Sequence, residues 1–204
     1  MGNDEALKDL VKTIKAEHAN ALKDKRPCSG IVYVHKRDDT TIISKTLKKA
    51  GIKAAPYHAG LKDQDRKRIQ QDWTDGVINV AIATVAFGMG IDLAHVRYVL
   101  HWSMSKTVEG FYQESGRAGR DGLRSKSILY YSKDDASKFA FLIRKNFERN
   151  QAQGRKSNTD DHSLDALNKM VEFCTLSCCR YAYSITKSDC GFIFFCFIFL
   201  INVY

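Results

Sequence analysis

Hydrophobic residues along this 204-residue chain alternate between helical and strand spacing. Apolar residues recur three and four positions apart from Leu7 to Leu22, which predicts an amphipathic helix that ends before Pro27. Short runs rich in β-branched and aromatic residues then alternate with segments of helical period. The predicted strands are Gly30–His35, Lys53–Tyr57, Val77–Ala83, Val96–His101 and Ser127–Tyr131. The predicted helices among them are Ile42–Ala50, Asp63–Trp73, Thr107–Ser115 and Asp134–Phe147.

This alternation predicts an α/β fold, in which a parallel sheet is flanked by helices on both faces. Ligands of such sheets collect at the carboxyl ends of the strands. The polar residues 151–162 are predicted to form a linker, and a helical stretch from Ser163 to Arg180 follows. The apolar segment Gly191–Ile201 has neither a helical nor a strand face, and it is shorter than the roughly 20 residues of a membrane-spanning helix. Its composition predicts a tendency to aggregate.

The charge of the chain favours a polyanionic partner such as nucleic acid, because 32 Lys and Arg outnumber 23 Asp and Glu and give a net charge of +9. The densest basic run, residues 62–68, mixes both signs and is typical of a solvated helix face. Five of the six cysteines lie from Cys174 onward, unlike those of a disulfide-stapled domain, and the polar amino terminus does not resemble a signal peptide. We therefore expect a reducing compartment and no membrane association.

Two arginines lie in the stretch Gln113–Gly122, which reads QESGRAGRDG. If the preceding helix runs into this stretch, Gln113, Arg117 and Arg120 share one face. The planar guanidinium of arginine suits bidentate phosphate binding, and a pair of them can neutralise the charge that develops on a transferring γ-phosphate. A basic helix end that complements the helix dipole is the alternative, and this stretch alone does not decide between the two.

A second candidate is the loop Thr84–Asp92, which follows the predicted strand Val77–Ala83 and contains Gly88 and Gly90. Backbone N–H groups of such a loop can bind phosphate oxygens, and Asp92 is available to a ribose hydroxyl or to an arginine. A tight turn with a capping aspartate is the alternative interpretation.

These two stretches occur together with four shorter motifs, which are Ser29–Val34, Tyr57–Leu61, Val96–Arg97 and His101–Trp102. In order and spacing, the whole set resembles the second motor lobe of RecQ-family DNA helicases over residues 29–135. The forms FGMGI and QExGRAGRDG resemble RecQ enzymes more than their RNA-directed DEAD-box relatives. The resemblance implies that residues 1–150 form a RecA-like lobe of the P-loop NTPase type, the helicase C-terminal lobe, followed by a short helical appendage.

The resemblance implies roles for individual residues at the nucleotide. Arg117 and Arg120 would reach the γ-phosphate of ATP, with Arg120 as the arginine finger. Gln113 would belong to the same catalytic network. Gly90 and Asp92 would lie with the two arginines at the nucleotide, in a loop that couples DNA contact to ATP.

The resemblance also implies a set of residues near the DNA strand. These are Ser29, Lys36, Arg37, His58, Thr84 and Gly88. Ser29, Lys36 and His58 are expected along one edge of the sheet with Thr84. For His58, a strand-end histidine bonded to a backbone carbonyl is the alternative.

Residues 163–189 resemble the start of the RecQ zinc-binding subdomain, in which Cys179 takes the place of the first thiolate ligand. The likeness stops just after Arg180, so residues 190–204 are interpreted as an out-of-family tail. A closed tetrahedral zinc site needs four ligands. We therefore expect an incomplete site that does not bind Zn²⁺, with Cys174 and Cys178 as buried or free thiols.

The chain contains no Gly-x4-Gly-Lys-Ser/Thr phosphate loop and no Asp-Glu-x-His metal motif. In RecQ-like enzymes both belong to the first motor lobe, so ATP and Mg²⁺ would be shared with a lobe absent from this chain. The resemblance thus implies half of an ATP-dependent 3′-5′ DNA helicase of recombination and repair, expected to be inactive by itself. Its expected location is nuclear in a eukaryote and otherwise cytoplasmic, at the nucleoid.

Two other functions stay open at the level of sequence. One is a non-catalytic module that binds single-stranded nucleic acid or a duplex junction, and the other is an unrelated α/β enzyme of flavodoxin-like shape. Salt-dependent DNA binding without ATP would mark the module. An unrelated enzyme would not need both Arg117 and Arg120.

Overall fold

A six-stranded parallel sheet organises the part of the chain that the computed structural model describes, residues 3–85, 87, 93–152, 159–175 and 197–203. The strands are β1 Ser29–Tyr33, β2 Ala54–Tyr57, β3 Val80–Ala83, β4 Val96–His101, β5 Ser125–Tyr131 and β6 Phe197–Val203. The helices are α1 Asn3–Lys23, α2 Arg37–Lys49, α3 Asp63–Thr74, α4 Val108–Ser115, α5 Lys133–Ala152 and α6 Thr159–Thr175. The strand order is β2-β3-β1-β4-β5-β6, which confirms the predicted α/β class.

The central strands are buried on both faces, as expected of a parallel sheet covered by helices. Because successive side chains of a strand point to opposite faces, Val32 and Ile31 of β1 enter different cores. Val32 packs in the core beneath α1 and α2, and Ile31 packs in the core that contains Trp73 of α3.

Helix α1 is tied to the sheet by polar contacts as well as by apolar packing. The Nε2 atom of His18 lies 2.9 Å from the hydroxyl of Tyr98, and the hydroxyl of Tyr130 donates to Asp9 at 3.1 Å. Burial lowers the pKa of His18, although the charge of Glu17 opposes this effect. A neutral His18 can form a hydrogen bond with the Tyr98 hydroxyl without placing a charge in the core.

Gly30 allows the closest packing in the sheet. A Cβ atom at this position would lie 1.8 Å from the ring of Tyr98, which is fully buried on the neighbouring strand β4. The Gly30 carbonyl also accepts a hydrogen bond of 3.2 Å from the indole N–H of Trp73. The central strand therefore needs a residue without a side chain at this point.

A third core lies between the sheet, α4 and α6. Phe111 of α4 and Phe173 of α6 are buried there with ring centroids 5.4 Å apart. Helix α6 begins at Thr159, within the predicted linker 151–162, and α5 continues to Ala152. The linker prediction was therefore too long at both ends, because the acidic residues after Thr159 suit the first turn of a helix.

The sequence pattern indicated no strand in the apolar tail, but Phe197–Val203 form one. Strand β6 pairs in parallel with β5, in a register that runs from Ser125 opposite Phe197 to Tyr131 opposite Val203. A run of aromatic and β-branched residues without charge is suited to a strand, and β5 offers its free edge. No helix in the described ranges is long and apolar enough to cross a membrane.

Candidate functional site

Four of the predicted DNA-contacting residues lie where β1, β2 and β3 end. Lys36 caps α2 directly after β1, and Arg37 begins that helix; both are exposed. His58 follows β2, and Thr84 follows β3. The amide of Thr84 donates to the Tyr57 carbonyl at 3.2 Å, so the β2–β3 ladder continues one residue past the strand end. The carboxyl edge of the sheet thus gathers these residues.

Arg37 and His58 converge above Gly60. A Cβ atom at Gly60 would lie 3.2 Å from a terminal nitrogen of Arg37 and 3.1 Å from Nδ1 of His58. The amide of Gly60 donates to the same His58 nitrogen at 3.1 Å. The ring is therefore held by a backbone amide and not by the carbonyl considered above. A cationic group and an oriented imidazole face solvent together at this point.

Ser29 does not lie at this edge, and the prediction that it joins Lys36 there is wrong. Ser29 is the first residue of β1, so the length of the strand separates it from Lys36. It is also only 2% exposed, in a position paired with Val96 of β4. Parallel strands place all their amino ends on the opposite edge of the sheet, where Ser29 cannot contact the same ligand.

Four other predicted residues lie outside the described ranges of the structure. They are Gly88, Gly90, Asp92 and Cys179. Their roles at DNA, nucleotide and zinc stay predictions.

The arginine segment, residues 116–122, does not continue helix α4. The helix begins with the Thr107 side chain accepting from the Gly110 amide at 3.0 Å, and it ends at Ser115. The proposed common helical face of Gln113, Arg117 and Arg120 is therefore wrong. Only Gln113 lies on the helix, where it is exposed.

The reason is a long-range contact that turns the backbone away from the helix axis. Gly119 has a φ of +68°, and its amide donates to the carbonyl of Val96 in β4 at 2.9 Å. A Cβ atom at Gly119 would lie 2.5 Å from the hydroxyl of Ser125. Positive φ and close packing both favour glycine here. The segment is thus anchored beside the amino ends of β4 and β5.

Arg97 and Asp121 fix the end of the arginine segment. One guanidinium nitrogen of Arg97 donates to both oxygens of Asp121 at 2.6 Å, and Arg97 is buried. Burial pushes the pKa of Asp121 upward, but the Arg97 hydrogen bond and the Leu123 amide hold it below its ordinary value. The remaining donors of Arg97 are satisfied by backbone carbonyls of Ala94, His95 and Arg124.

Arg117 turns toward the sheet, whereas Arg120 is exposed. Arg117 is half-buried, and its charge acts on the hydroxyl of Tyr33 at the end of β1. The Tyr33 hydroxyl donates to the carbonyl of Phe87 at 2.9 Å. Burial raises the pKa of Tyr33 well above its ordinary value, with the charge of Arg117 opposing it, so the phenol is neutral.

Sequence reasoning missed a polar cluster behind Tyr33. The carboxylate of Glu114 accepts from the Ser105 hydroxyl at 2.8 Å and lies 2.9 Å from Nε2 of His101. Burial raises the pKa of Glu114, but the hydrogen bond and charge of His101 and the hydroxyl of Ser105 together hold it below its ordinary value. His101 and Glu114 both lie in the quoted motifs, and a polar residue ending an apolar strand was the available signal.

A groove of about 1090 Å³ continues from Lys36 past the ends of β4 and β5. Aromatic walls formed by Trp102 and Phe139 border it. Its charged lining residues are Lys36, Lys106, Lys133, Lys138, Asp39, Asp134 and Asp135. Both signs of charge are present, so the groove lining is of mixed charge, whereas the site at Arg37 and His58 carries a cationic group.

The described residues contain no group of three or more His, Cys, Asp or Glu side chains that could hold a metal ion. Cys174, one of the thiols considered for zinc, is buried in the third core with Met170 and Phe173. The part of the chain that the structure describes therefore offers no ligand set for Mg²⁺ or Zn²⁺.

Sequence comparison assigns residues 5–122 to the helicase conserved C-terminal domain. Mouse (Mus musculus) ATP-dependent DNA helicase Q5 is 43% identical over 153 residues, which cover 75% of this chain and 16% of that protein. The RecQ-like DNA helicase BLM of Xenopus laevis is 42% identical over 167 residues, which cover 81% of this chain and 11% of that protein. The chain thus spans less than a fifth of the length of these two relatives.

Solved structures show the same fold. A DEAD box protein of Methanococcus jannaschii superposes with a TM-score of 0.56 at 21% identity, covering 76% of this chain and 39% of that one. The Mycobacterium smegmatis helicase Lhr, solved with ssDNA and AMP-PNP, gives a TM-score of 0.53 at 21% identity, covering 70% of this chain and 18% of that one. The chain belongs to the helicase conserved C-terminal domain family, and its sequence relatives place it among the RecQ-like helicases.

Proposed function

We propose that this chain is the second motor lobe of an ATP-dependent, 3′-5′ RecQ-like DNA helicase of recombination and repair. The observation that carries the proposal is the anchored arginine segment, in which Gly119 is bonded to Val96 of β4 and Asp121 to Arg97. A motor lobe needs arginines on a fixed backbone to meet a nucleotide held by another lobe. The family relationship argues against the unrelated flavodoxin-like enzyme.

At the nucleotide, the two arginines have different roles in this proposal. Exposed Arg120 is the arginine finger, because only an exposed guanidinium can reach a γ-phosphate held by another lobe. Half-buried Arg117 supports it from the same segment, and Gln113 completes the network from the end of α4. Gly90 and Asp92 would approach the nucleotide from the loop before β4.

The residues present fit only part of the nucleotide site. Two guanidiniums suit the outer phosphates, but the chain has no phosphate loop and its described residues hold no metal ligand set. When bound, Mg²⁺ neutralises charge on the β- and γ-phosphates. In this proposal the first motor lobe holds both Mg²⁺ and the triphosphate, so the 204-residue chain does not hydrolyse ATP alone.

Hydrolysis by the purified chain tests this part of the proposal. Adding single-stranded DNA to the chain with ATP and Mg²⁺ should produce no phosphate above the rate measured without protein. DNA-stimulated hydrolysis that disappears in Arg120→Ala would show that the chain is a complete ATPase and would contradict the proposal.

At the DNA, the carboxyl edge of β1, β2 and β3 binds the strand by its phosphates. Arg37 and Lys36 provide charge, and His58 and Thr84 provide hydrogen-bonding groups. Gly88 would add a backbone contact from the loop after β3. Phosphate contacts fix the position of a strand without reading its sequence. A eukaryotic protein of this kind would act in the nucleus, and a prokaryotic one at the nucleoid.

Charge reversal at two ends of one helix tests the DNA contact. Arg37→Glu, in the first turn of α2, should weaken binding of a fluorescent oligothymidylate by an order of magnitude or more. Lys49→Glu, at an exposed position in the last turn of the same helix and roughly 18 Å away, is the matched control and should bind within about twofold of wild type. Equal losses would show diffuse attraction and remove the carboxyl edge from the proposal.

The same titration addresses the second candidate, a non-catalytic module for single-stranded nucleic acid. The exposed Arg37 at the sheet edge favours it equally, since binding there needs no nucleotide. A substitution in the arginine segment distinguishes the two functions. A module tolerates Arg120→Ala without loss of function in cells, whereas a motor lobe does not.

A further inference from the structure

The outward sides of helices α1 and α2 carry lysines at helical spacing. Both helices pack on the same face of the sheet, where Leu10 and Ile14 of α1 share one core with Ile43 and Leu47 of α2. Residues three, four and seven positions apart lie on one side of a helix, and here that side is opposite the core. The exposed residues in these two rows, which we call the lysine face, are Lys8, Lys12 and Lys15 of α1 and Lys45, Lys48 and Lys49 of α2.

The carboxylates of the two helices are kept away from the lysine face. Asp9 and Glu17 of α1 point to the sheet, where Asp9 accepts from the hydroxyl of Tyr130 at 3.1 Å and Glu17 lies 2.6 Å from the ammonium of Lys126. The other acidic residues of both helices lie in their first turns. Beyond those turns, the outward sides of α1 and α2 therefore present positive charge with no carboxylate among the lysines.

Several basic residues of the other helices are paired with a carboxylate three or four positions away. These pairs are Arg66–Asp63 and Arg68–Asp65 of α3, Lys138–Asp135 of α5 and Lys169–Asp165 of α6. Within the part of the chain that the structure describes, no lysine of the lysine face forms an ion pair. The lysine face thus carries a share of the +9 net charge that nearby carboxylates do not offset.

The chemistry of the lysine face suits duplex DNA more than a single strand. Proteins hold single strands by stacking bases on aromatic side chains, and neither helix contains a Phe, Tyr or Trp. Duplex DNA carries one charge per about 1.7 Å of its axis, twice the density of one strand, so it gains more from charge alone. Lys8 to Lys15 cover about 10 Å along α1, which matches about three phosphate intervals of one strand.

We infer that the lysine face binds the phosphate backbone of duplex DNA, as a second site beside the single-strand contact at the carboxyl edge. Helix α2 joins the two sites, because its first residue, Arg37, lies at the carboxyl edge and Lys48 and Lys49 lie in its last turn. The inference rests on the proposed function only in taking DNA as the polyanion. The duplex arm of a substrate is held on the side of α1 and α2, while its single-stranded extension crosses the ends of β1, β2 and β3.

Fluorescence anisotropy of the full 204-residue chain with a labelled short blunt duplex tests the lysine face. At physiological ionic strength, Lys12→Glu/Lys15→Glu should raise the Kd for this duplex by about tenfold or more. The slope of log K against log salt concentration should fall by about 1.8, because each lost phosphate contact removes about 0.9. The Kd of the same variant for a short oligothymidylate should stay within about twofold of wild type, which also shows that the variant is folded.

Lys67→Glu/Lys145→Glu is the matched control, because it makes the same change in net charge at exposed lysines of α3 and α5, which pack in the other two cores. Its Kd for the duplex should stay within about twofold of wild type. Equal losses in the two double variants would show diffuse attraction and overturn the inference. So would unchanged duplex affinity in Lys12→Glu/Lys15→Glu.

A loss of oligothymidylate binding in Lys12→Glu/Lys15→Glu that equals its loss of duplex binding would show one general site, and it too overturns the inference. Absence of duplex binding in wild type does the same and leaves the carboxyl edge in place. Absence of oligothymidylate binding in wild type overturns the proposed contact at the carboxyl edge instead, and the duplex measurements then decide the lysine face separately.

Discussion

The buried guanidinium of Arg97 and the carboxylate of Asp121 form a clamp across the base of the arginine segment, with a single guanidinium nitrogen 2.6 Å from both carboxylate oxygens. Arg97 is the second residue of β4, and Asp121 directly follows Arg120. The exposed arginine therefore projects from a backbone fixed on one side by this pair and on the other by Gly119 at Val96. An exposed side chain on a fixed backbone suits a group that must meet a ligand presented by another lobe.

Asp121→Asn should lower the free energy of unfolding by about 1–3 kcal/mol, because it leaves the buried Arg97 guanidinium without its anionic partner. Urea denaturation measures this loss as a lower midpoint at constant slope. Asp63→Asn is the matched control, since Asp63 pairs with Arg66 on the surface of α3, and it should leave the midpoint unchanged. Equal midpoints for all three proteins would show that the clamp does not stabilise the fold.

Glu114 makes the stability of the folded chain depend on pH in the acid range. Burial opposes ionisation, yet His101 and Ser105 hold the pKa of the folded carboxyl below its ordinary value of 4.5. The unfolded chain then binds this proton more readily than the folded chain. The contribution of Glu114 is complete above its unfolded pKa and is lost as pH falls through its folded pKa.

Glu114→Gln should therefore reduce the loss of stability between about pH 5 and pH 3. Thermal unfolding across that range provides the measurement. Glu109→Gln, on the exposed side of the same helix α4, is the control and should keep the wild-type slope. If stability falls with pH equally steeply in Glu114→Gln and wild type, Glu114 is not the source of the acid sensitivity.

Gly30→Ala should destabilise the chain by about 1–3 kcal/mol or more, because the added Cβ meets the buried Tyr98 ring at 1.8 Å. Tyr98→Leu removes that ring and opens a cavity of its own. A double-mutant cycle by urea denaturation should show that the double variant loses less stability than the two single variants combined. Strict additivity would mean that the two residues do not conflict.

Arg37→Gln should weaken the salt dependence of DNA binding. Removing one phosphate contact decreases the slope of log K against log salt concentration by about 0.7 for a single strand. Fluorescence anisotropy of an oligothymidylate at several salt concentrations measures the slope. Lys49→Gln, at the far end of α2, should keep the wild-type slope, and a change equal to that of Arg37→Gln would count against a localised contact.

The spacing of apolar residues predicted those strands and helices whose buried faces are visible in their own sequence. Strand β4 has the predicted bounds Val96–His101, and α4 ends at the predicted Ser115. These segments could be found because a buried parallel strand and an amphipathic helix have distinct spacings of apolar residues. Lys36, Arg37, His58 and Thr84 are implied by the family resemblance, and they lie together because the carboxyl ends of parallel strands share one edge.

The features that the sequence did not predict each involve a contact between distant parts of the chain. The course of the arginine segment is set by Gly119 meeting Val96, which no local pattern reveals. The stacking of Tyr33 on His101 needs two strands to be placed side by side before it can be seen. Strand β6 depends on an edge that β5 offers only after folding, and its continuous apolar run carries no alternation to indicate a strand.

Strand β6 also sets an order of events during synthesis. Ser125 and Phe197 are neighbours in the sheet, but helices α5 and α6 are made between them. Amino-terminal segments fold first as a chain is produced, and distant pairings close slowly. The outer edge of β5 is therefore open to other chains while β6 is still being translated. Until β6 is made, the five-stranded sheet can pair with another chain at β5, whereas in the completed sheet the edge position passes to β6.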